Sequence, residues 1–260
     1  MKMPEPLRFL SLGWGVQSFT IAAMMALDEL PRVDYLIHAD TTHEQQGTYA
    51  FRSRWEPWLR EYGLNVVTVA GSRLEVVRQD WSDSVLIPAL TLEARTGKRG
   101  QLMRQCTHDW KIMPMRRFLR AELARRGQKP RPGAVESWLG ISLDEVGRMK
   151  DSDVTYIANV YPLVDRRITR VGCVAWLEAH GLEVPPKSSC TFCPYSSLAS
   201  WRERKREGGP DWQEALAVDQ AIRGKRPQHG PLFVHPARRP LEEAVAIPED
   251  QGAQQLALMD

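Results

Sequence analysis

Residues 7–12 are apolar and run directly into Gly13, Trp14 and Gly15, after which residues 17–30 carry Ile21, Met24, Met25 and Leu27 at helical spacing up to Pro31. A strand delivered into a glycine turn and then a helix is the opening of an α/β unit, and it constrains what the following chain can do. Residues 35–39 read as a second buried strand ending at Asp40. Residues 44–62 read as a long amphipathic helix with Gly63 as its C-cap, and residues 65–70 as a third strand. A βαβαβ order predicts an α/β fold, a Rossmann-like parallel sheet with right-handed crossovers and helices on both faces.

Further along, residues 95–104 are polar and glycine-bearing and read as a loop, residues 110–126 as a helix and residues 136–141 as another strand. From residue 169 the pattern turns helical, with 171–180, a Pro185-Pro186 turn and then 197–207. The expected organisation is a nucleotide-binding α/β domain over 1–165, a helical C-terminal region over 166–247 and a flexible tail over 248–260. In a chain of 260 residues no apolar run reaches the roughly 18 residues a bilayer span needs. The first eight residues lack the apolar core of a signal peptide, so a cytoplasmic protein is expected.

Net charge is only +3, but the cations are clustered: Arg116, Arg117, Arg120, Arg125 and Arg126, then Arg202, Arg204, Lys205 and Arg206. Such clusters suit either a solvated helix face or contact with nucleic acid phosphates. The turn between the first strand and helix, Ser11-Leu-Gly-Trp-Gly-Val-Gln-Ser18, offers backbone N–H groups and a helix dipole to an anion. Gly13 and Gly15 permit close approach and Ser18 brings a hydroxyl. It has neither the lysine of a Walker loop nor the third glycine of a dinucleotide loop. Asp40, at the end of the second strand, fits either a helix cap or a ribose or metal ligand.

In this register the turn resembles the Ser-Gly-Gly-x-Asp-Ser loop of the PP-loop ATP pyrophosphatase superfamily. Gly15 and Ser18 match, while Gly13, Trp14 and Gln17 depart. Three further segments resemble the phosphoadenosine phosphosulfate (PAPS) reductase branch, in its order: Asp40-Thr-Thr-His-Glu44, Arg104-Gln-Cys-Thr-His-Asp-Trp-Lys111 through Pro114, and Gly140-Ile-Ser-x-Asp-Glu-x-x-Arg148. The resemblance implies binding of ATP with Mg²⁺, phosphate contacts from Ser11, Gly13, Gly15, Ser18 and Arg104, and reaction roles for Asp40, Lys111 and Arg148.

The four cysteines are Cys106, Cys173, Cys190 and Cys193. Cys190-Thr-Phe-Cys193 is a C-x-x-C pair that suits chelation or redox chemistry, and four thiolates satisfy either Zn²⁺ or an iron-sulfur cluster. The resemblance, which extends to about residue 206 through Ser188-x-Cys-x-x-Cys-Pro194 and Trp201, implies a 4Fe-4S cluster on all four, with Zn²⁺ as the alternative. It further implies an enzyme that splits ATP to AMP and pyrophosphate to activate a substrate for sulfur transfer. The expected partners are an adenine nucleotide, a nucleic acid substrate and a sulfur-donor protein, with no membrane. Two other readings are a sulfonucleotide reductase and a non-catalytic nucleotide-binding module with structural zinc. The reductase reading lacks its nucleophile, because no cysteine follows Cys193.

Overall fold

The computed structural model describes residues 5–71, 75–78, 84–93 and 95–246; the tail expected at 248–260 lies outside the described residues. The chain divides into two compact units, residues 1–72 with 110–188, and residues 73–109 with 189–260.

The first unit is built on a five-stranded sheet: β1 (Leu7–Ser11), β2 (Tyr35–Asp40), β3 (Val66–Ala70), β4 (Val135–Trp138) and β5 (Ile157–Val160). All pairings are parallel and the spatial order is β3-β2-β1-β4-β5. The strands read as continuous apolar runs because both faces are covered. Leu10, Leu12, Leu36, Val66 and Trp138 share a core with helices α1 (Val16–Ala26), α2 (Gln46–Glu61) and α5 (Arg170–Ala179). Leu7, Phe9, Ile37 and Val135 face the other way, onto Leu119 and Leu123 of α3 (Met113–Arg125).

Every residue of α1 is buried, which explains why it is apolar on all sides rather than along one stripe. It packs between the sheet and α2, α5 and the short helix α4 (Pro162–Asp165). Each of Phe19, Ile21, Met24 and Met25, at most 1% exposed, contributes on the order of 1.5–3 kcal/mol of burial. α5, which the sequence groups with the C-terminal region, belongs to the first unit. A π-helical turn, Thr107–Ile112, leads into α3. The edge strand β5 is short and half-exposed, and its sequence carries no alternation that would announce it.

The second unit holds a three-stranded antiparallel sheet, with Leu90–Leu92 between Leu232–Phe233 and Arg99–Gln101. Part of the loop expected at 95–104 is therefore an edge strand. Gly97, at φ +69°, closes the hairpin: its N–H donates to Glu93 O at 2.8 Å, and the Glu93 N–H to Lys98 O at 2.9 Å. Its polarity follows from the exposure of Arg99 and Gln101. Helices α6 (Leu198–Glu207), α7 (Pro210–Ile222) and α8 (Leu241–Ala246) pack together. The buried carboxylate of Asp219 accepts the N–H groups of Val234 and Leu241 and pairs with Arg223.

Candidate active site at the carboxyl edge of the parallel sheet

The strand order reverses direction between β1 and β4, and the residues singled out in the first unit gather at the carboxyl ends of those strands and of β2. After β1 the chain turns through Trp14, which holds φ +55°, a left-handed conformation costly for a residue with a side chain, and is fully buried. Gly15 is the N-cap of α1. No side chain caps this helix and no acidic residue stands in its first turn, so its terminal N–H groups and dipole are left for an anion. The Ser18 hydroxyl donates to Gly15 O at 3.2 Å.

Two other segments close on this turn. Ser188 donates its hydroxyl to Gly13 O at 2.6 Å, and a Cβ built on Gly15 stands 3.7 Å from Ser188 Cβ. On the other side, a Cβ on Gly140 would lie 2.8 Å from Ser18 N and 3.1 Å from Ser18 Cα. The loop after β4 therefore rests backbone to backbone on the first turn of α1, and only glycine permits it. Gly13, by contrast, has nothing within 4 Å of such a Cβ.

At the end of β2, Asp40 accepts from the Thr42 N–H at 2.8 Å, the Tyr49 hydroxyl at 2.9 Å and Arg52 at 3.4 Å. Burial disfavours its charge, but these donors and the nearby cations outweigh it and hold the carboxyl below its ordinary value. Thr42, like Trp14, sits at positive φ. Glu44 is 2% exposed, which requires partners: Lys111 Nζ lies 3.0 Å from its Oε1, the Thr41 hydroxyl 3.4 Å from the same oxygen, and the Ser188 hydroxyl 3.4 Å from Oε2. Sequence reasoning singled out Lys111 but passed over Glu44, although it closes the quoted Asp-Thr-Thr-His-Glu segment.

After β4, Glu145 Oε2 accepts from Gln17 Nε2 at 3.0 Å, and its Oε1 from Arg148 at 2.6 Å. Gln17 Oε1 accepts in turn from Arg170 at 3.1 Å. An amide can serve an acid and a base at once, which a carboxylate cannot. That is a physical reason for glutamine where the resembled loop has aspartate. The Ser142 hydroxyl and the Arg170 N–H hold Asp144 below its ordinary value.

Of the residues assigned to phosphate, Gly13, Gly15 and Ser18 form the turn. Ser11 does not join them. Its hydroxyl contacts Met115 Sδ at 3.9 Å, on the α3 face of the sheet. Arg104 belongs to the second unit, where its guanidinium lies 5.1 Å from the Tyr195 ring centre.

The cysteines divide between the units. Cys173 is fully buried in the core of the first unit, and burial above all pushes its thiol up to about 11, against the opposing Thr20 hydroxyl. This is the setting of a packing cysteine. Cys106, Cys190 and Cys193 are half-buried members of the second unit. Burial pushes the Cys106 thiol up, Arg104 draws it down and Cys193 raises it again. Arg204, 3% exposed, lies over the Trp201 ring at 3.9 Å, and burial lowers it to about 10 against the attraction of Cys193. Among the described residues no three of His, Cys, Asp and Glu form a group that would hold a metal ion. The four-thiolate site expected from sequence is therefore not seen as a formed group among the described residues. Cys106, Cys190 and Cys193 share a unit, while Cys173 serves the core of the other.

No family model matches the chain, and no curated protein matches it. Among solved structures, it is similar to phosphoadenylyl-sulfate (PAPS) reductase from Candida auris, in a phosphate complex. That match has a TM-score of 0.45 and 14% identity, over 69% of this chain and 75% of that one. It is also similar to the U34-tRNA thiolase NcsA from Methanococcus maripaludis, with its 4Fe-4S cluster, at a TM-score of 0.38 and 14% identity, over 84% and 72%. Both likenesses are too distant to assign a residue or a reaction. Among the described residues no helix is long and apolar enough to cross a membrane.

Proposed function

We propose that this chain is a PP-loop adenine-nucleotide enzyme that splits ATP to AMP and pyrophosphate while adenylating an acceptor, the activation step of a sulfur transfer to nucleic acid. The observation that carries this reading is the meeting of segments far apart in sequence at one sheet edge: Gly140 on Ser18, Gln17 on Glu145, Lys111 on Glu44 and Ser188 on Gly13. These belong to the motifs whose order in the chain matches that superfamily.

In this reading the N–H groups at the start of α1 and the turn through Gly13 and Gly15 take the β- and γ-phosphates. An acceptor oxygen forms the new bond to the α-phosphorus, the α–β bridging bond breaks, and pyrophosphate leaves. Lys111, Arg148 and Arg170 neutralise charge as it develops, so catalysis is mainly positioning and electrostatics. Asp40 already accepts three hydrogen bonds, from Thr42, Tyr49 and Arg52. With about four acceptor positions on a carboxylate, it would offer Mg²⁺ one at most, and the ion would supply neutralisation of phosphate charge. The sulfur comes from a donor protein, and Cys106, Cys190 and Cys193, which share the second unit, are the proposed ligands that would hold a 4Fe-4S cluster or Zn²⁺.

The test is release of pyrophosphate and AMP from ATP, with Mg²⁺, across a panel of RNAs and DNAs. Stimulation by one class of nucleic acid is expected. Binding of ATP without any AMP under all conditions would favour a non-catalytic module, and sulfite release from PAPS would favour a reductase.

A further inference from the structure

The α3 face of the parallel sheet carries a cleft of about 400 Å³ at the carboxyl ends of β1, β4 and β5, a volume typical of small-molecule sites, which span about 300–1,000 Å³. Its walls are Phe9, Met115, Leu119, Leu139 and Ile141. Ser11, Ser137 and Asn159 are among the polar groups that interrupt them, and at the mouth the exposed Arg148 and Lys150 stand with Asp151 and Asp153. Arg116 also lines the cleft and is engaged by Asp153, as Arg148 is by Glu145. The cleft lies beside the point where the strand order reverses, on the face of the sheet opposite α1.

We propose that this cleft receives one base of the acceptor nucleic acid, turned out of its stack, with the flanking phosphates on Arg148 and Lys150. The inference rests on the proposed adenylating function and names where its acceptor binds. The apolar walls suit the faces of a ring. A pure hydrocarbon would desolvate the Ser137 hydroxyl, the weakly bonded Ser11 hydroxyl and the Asn159 carbonyl oxygen, whose amide nitrogen already donates to Lys150 O, whereas a base edge supplies donors and acceptors for them. The cations suit an anionic backbone next to the ring, as in single-strand binding grooves. Ser11 belongs to the cleft and Gly13, two residues on, to the phosphate turn, so base and nucleotide would approach the same edge from opposite faces of β1.

Two variants test this without touching the phosphate turn. Leu139→Trp fills the cleft from a half-buried wall position, and Lys150→Glu reverses a charge at an exposed one. Binding of labelled single-stranded RNA and of DNA of the same sequence is measured by anisotropy, with ATP titrated separately by calorimetry. Both variants are expected to weaken binding of the preferred strand by about tenfold or more and to leave ATP affinity within about twofold. Strand affinity unchanged in both variants, or no binding of either strand to the wild-type protein, overturns the proposal. A parallel loss of ATP affinity also overturns it, because the cleft then holds the adenine of ATP. Failure of the wild-type protein to bind ATP at all would instead sink the adenylating reading.

Discussion

Gly140 lies so close to Ser18 that an added Cβ would stand 2.8 Å from the Ser18 backbone nitrogen. The neighbouring atoms are backbone in the first turn of a wholly buried helix and have no room to shift. Gly140→Ala is therefore expected to destabilise the protein by about 1–3 kcal/mol, the range for overpacking. It should also weaken ATP, since the same turn is assigned to phosphate. Thermal unfolding and calorimetry check this, and a variant as stable as wild type would contradict the close approach.

Gln17 offers a second test, because its amide links Glu145 to Arg170. Gln17→Asp restores the residue of the resembled loop but sets a carboxylate toward Glu145. A loss of about 1 kcal/mol at neutral pH is expected. The gap should narrow as the pH falls and either acid takes up a proton. A variant more stable than wild type at pH 7 would show that the network does not need an amide.

Asp40 has its folded pKa below its ordinary value. Its contribution to stability is thus complete above the unfolded value and is lost as pH falls through the lower folded one. Tyr49→Phe removes one of the donors to that carboxylate, so the variant is expected to be about 1 kcal/mol less stable at pH 7. The two proteins should converge as Asp40 protonates. A difference that is constant between pH 7 and pH 3 would mean that the hydroxyl acts through packing alone.

The cysteines separate by burial. Cys173→Ala is expected to lose about 1–2 kcal/mol of stability from the first core while keeping any bound iron or zinc. Cys190→Ala is expected to lose the metal. Metal analysis of anaerobically purified protein decides between them, and loss of metal in Cys173→Ala would show that Cys173 is a ligand as well.

How far the sequence carried follows from which forces are local. The β1 to α1 opening and the parallel sheet were legible because apolar runs and a glycine turn are short-range signals. The alignment of motif segments was legible as order along the chain. The pairing of Glu44 with Lys111 and the seating of Gly140 on Ser18 were not, since each depends on loops from distant strands meeting at one edge. The burial of Cys173 in the first core was not legible either, since spacing counts thiols but does not measure burial. The strand Arg99–Gln101 was hidden because its residues face outward and its ladder is held by backbone groups, leaving a polar sequence that reads as loop.

ATP is proposed to be held by the turn through Gly15 at the start of α1. Gly15 has φ −92° and ψ 168°, which any residue adopts, and a Cβ there meets only Ser188 Cβ at 3.7 Å. Gly15→Val should therefore fold, yet its branched side chain would stand where phosphate approaches the helix N-terminus. Calorimetric titration of ATP with Mg²⁺ into both proteins is the direct measurement. Binding to wild type and a loss of at least about tenfold in the folded variant are expected; equal affinity in the two would mean that ATP is not held at this turn.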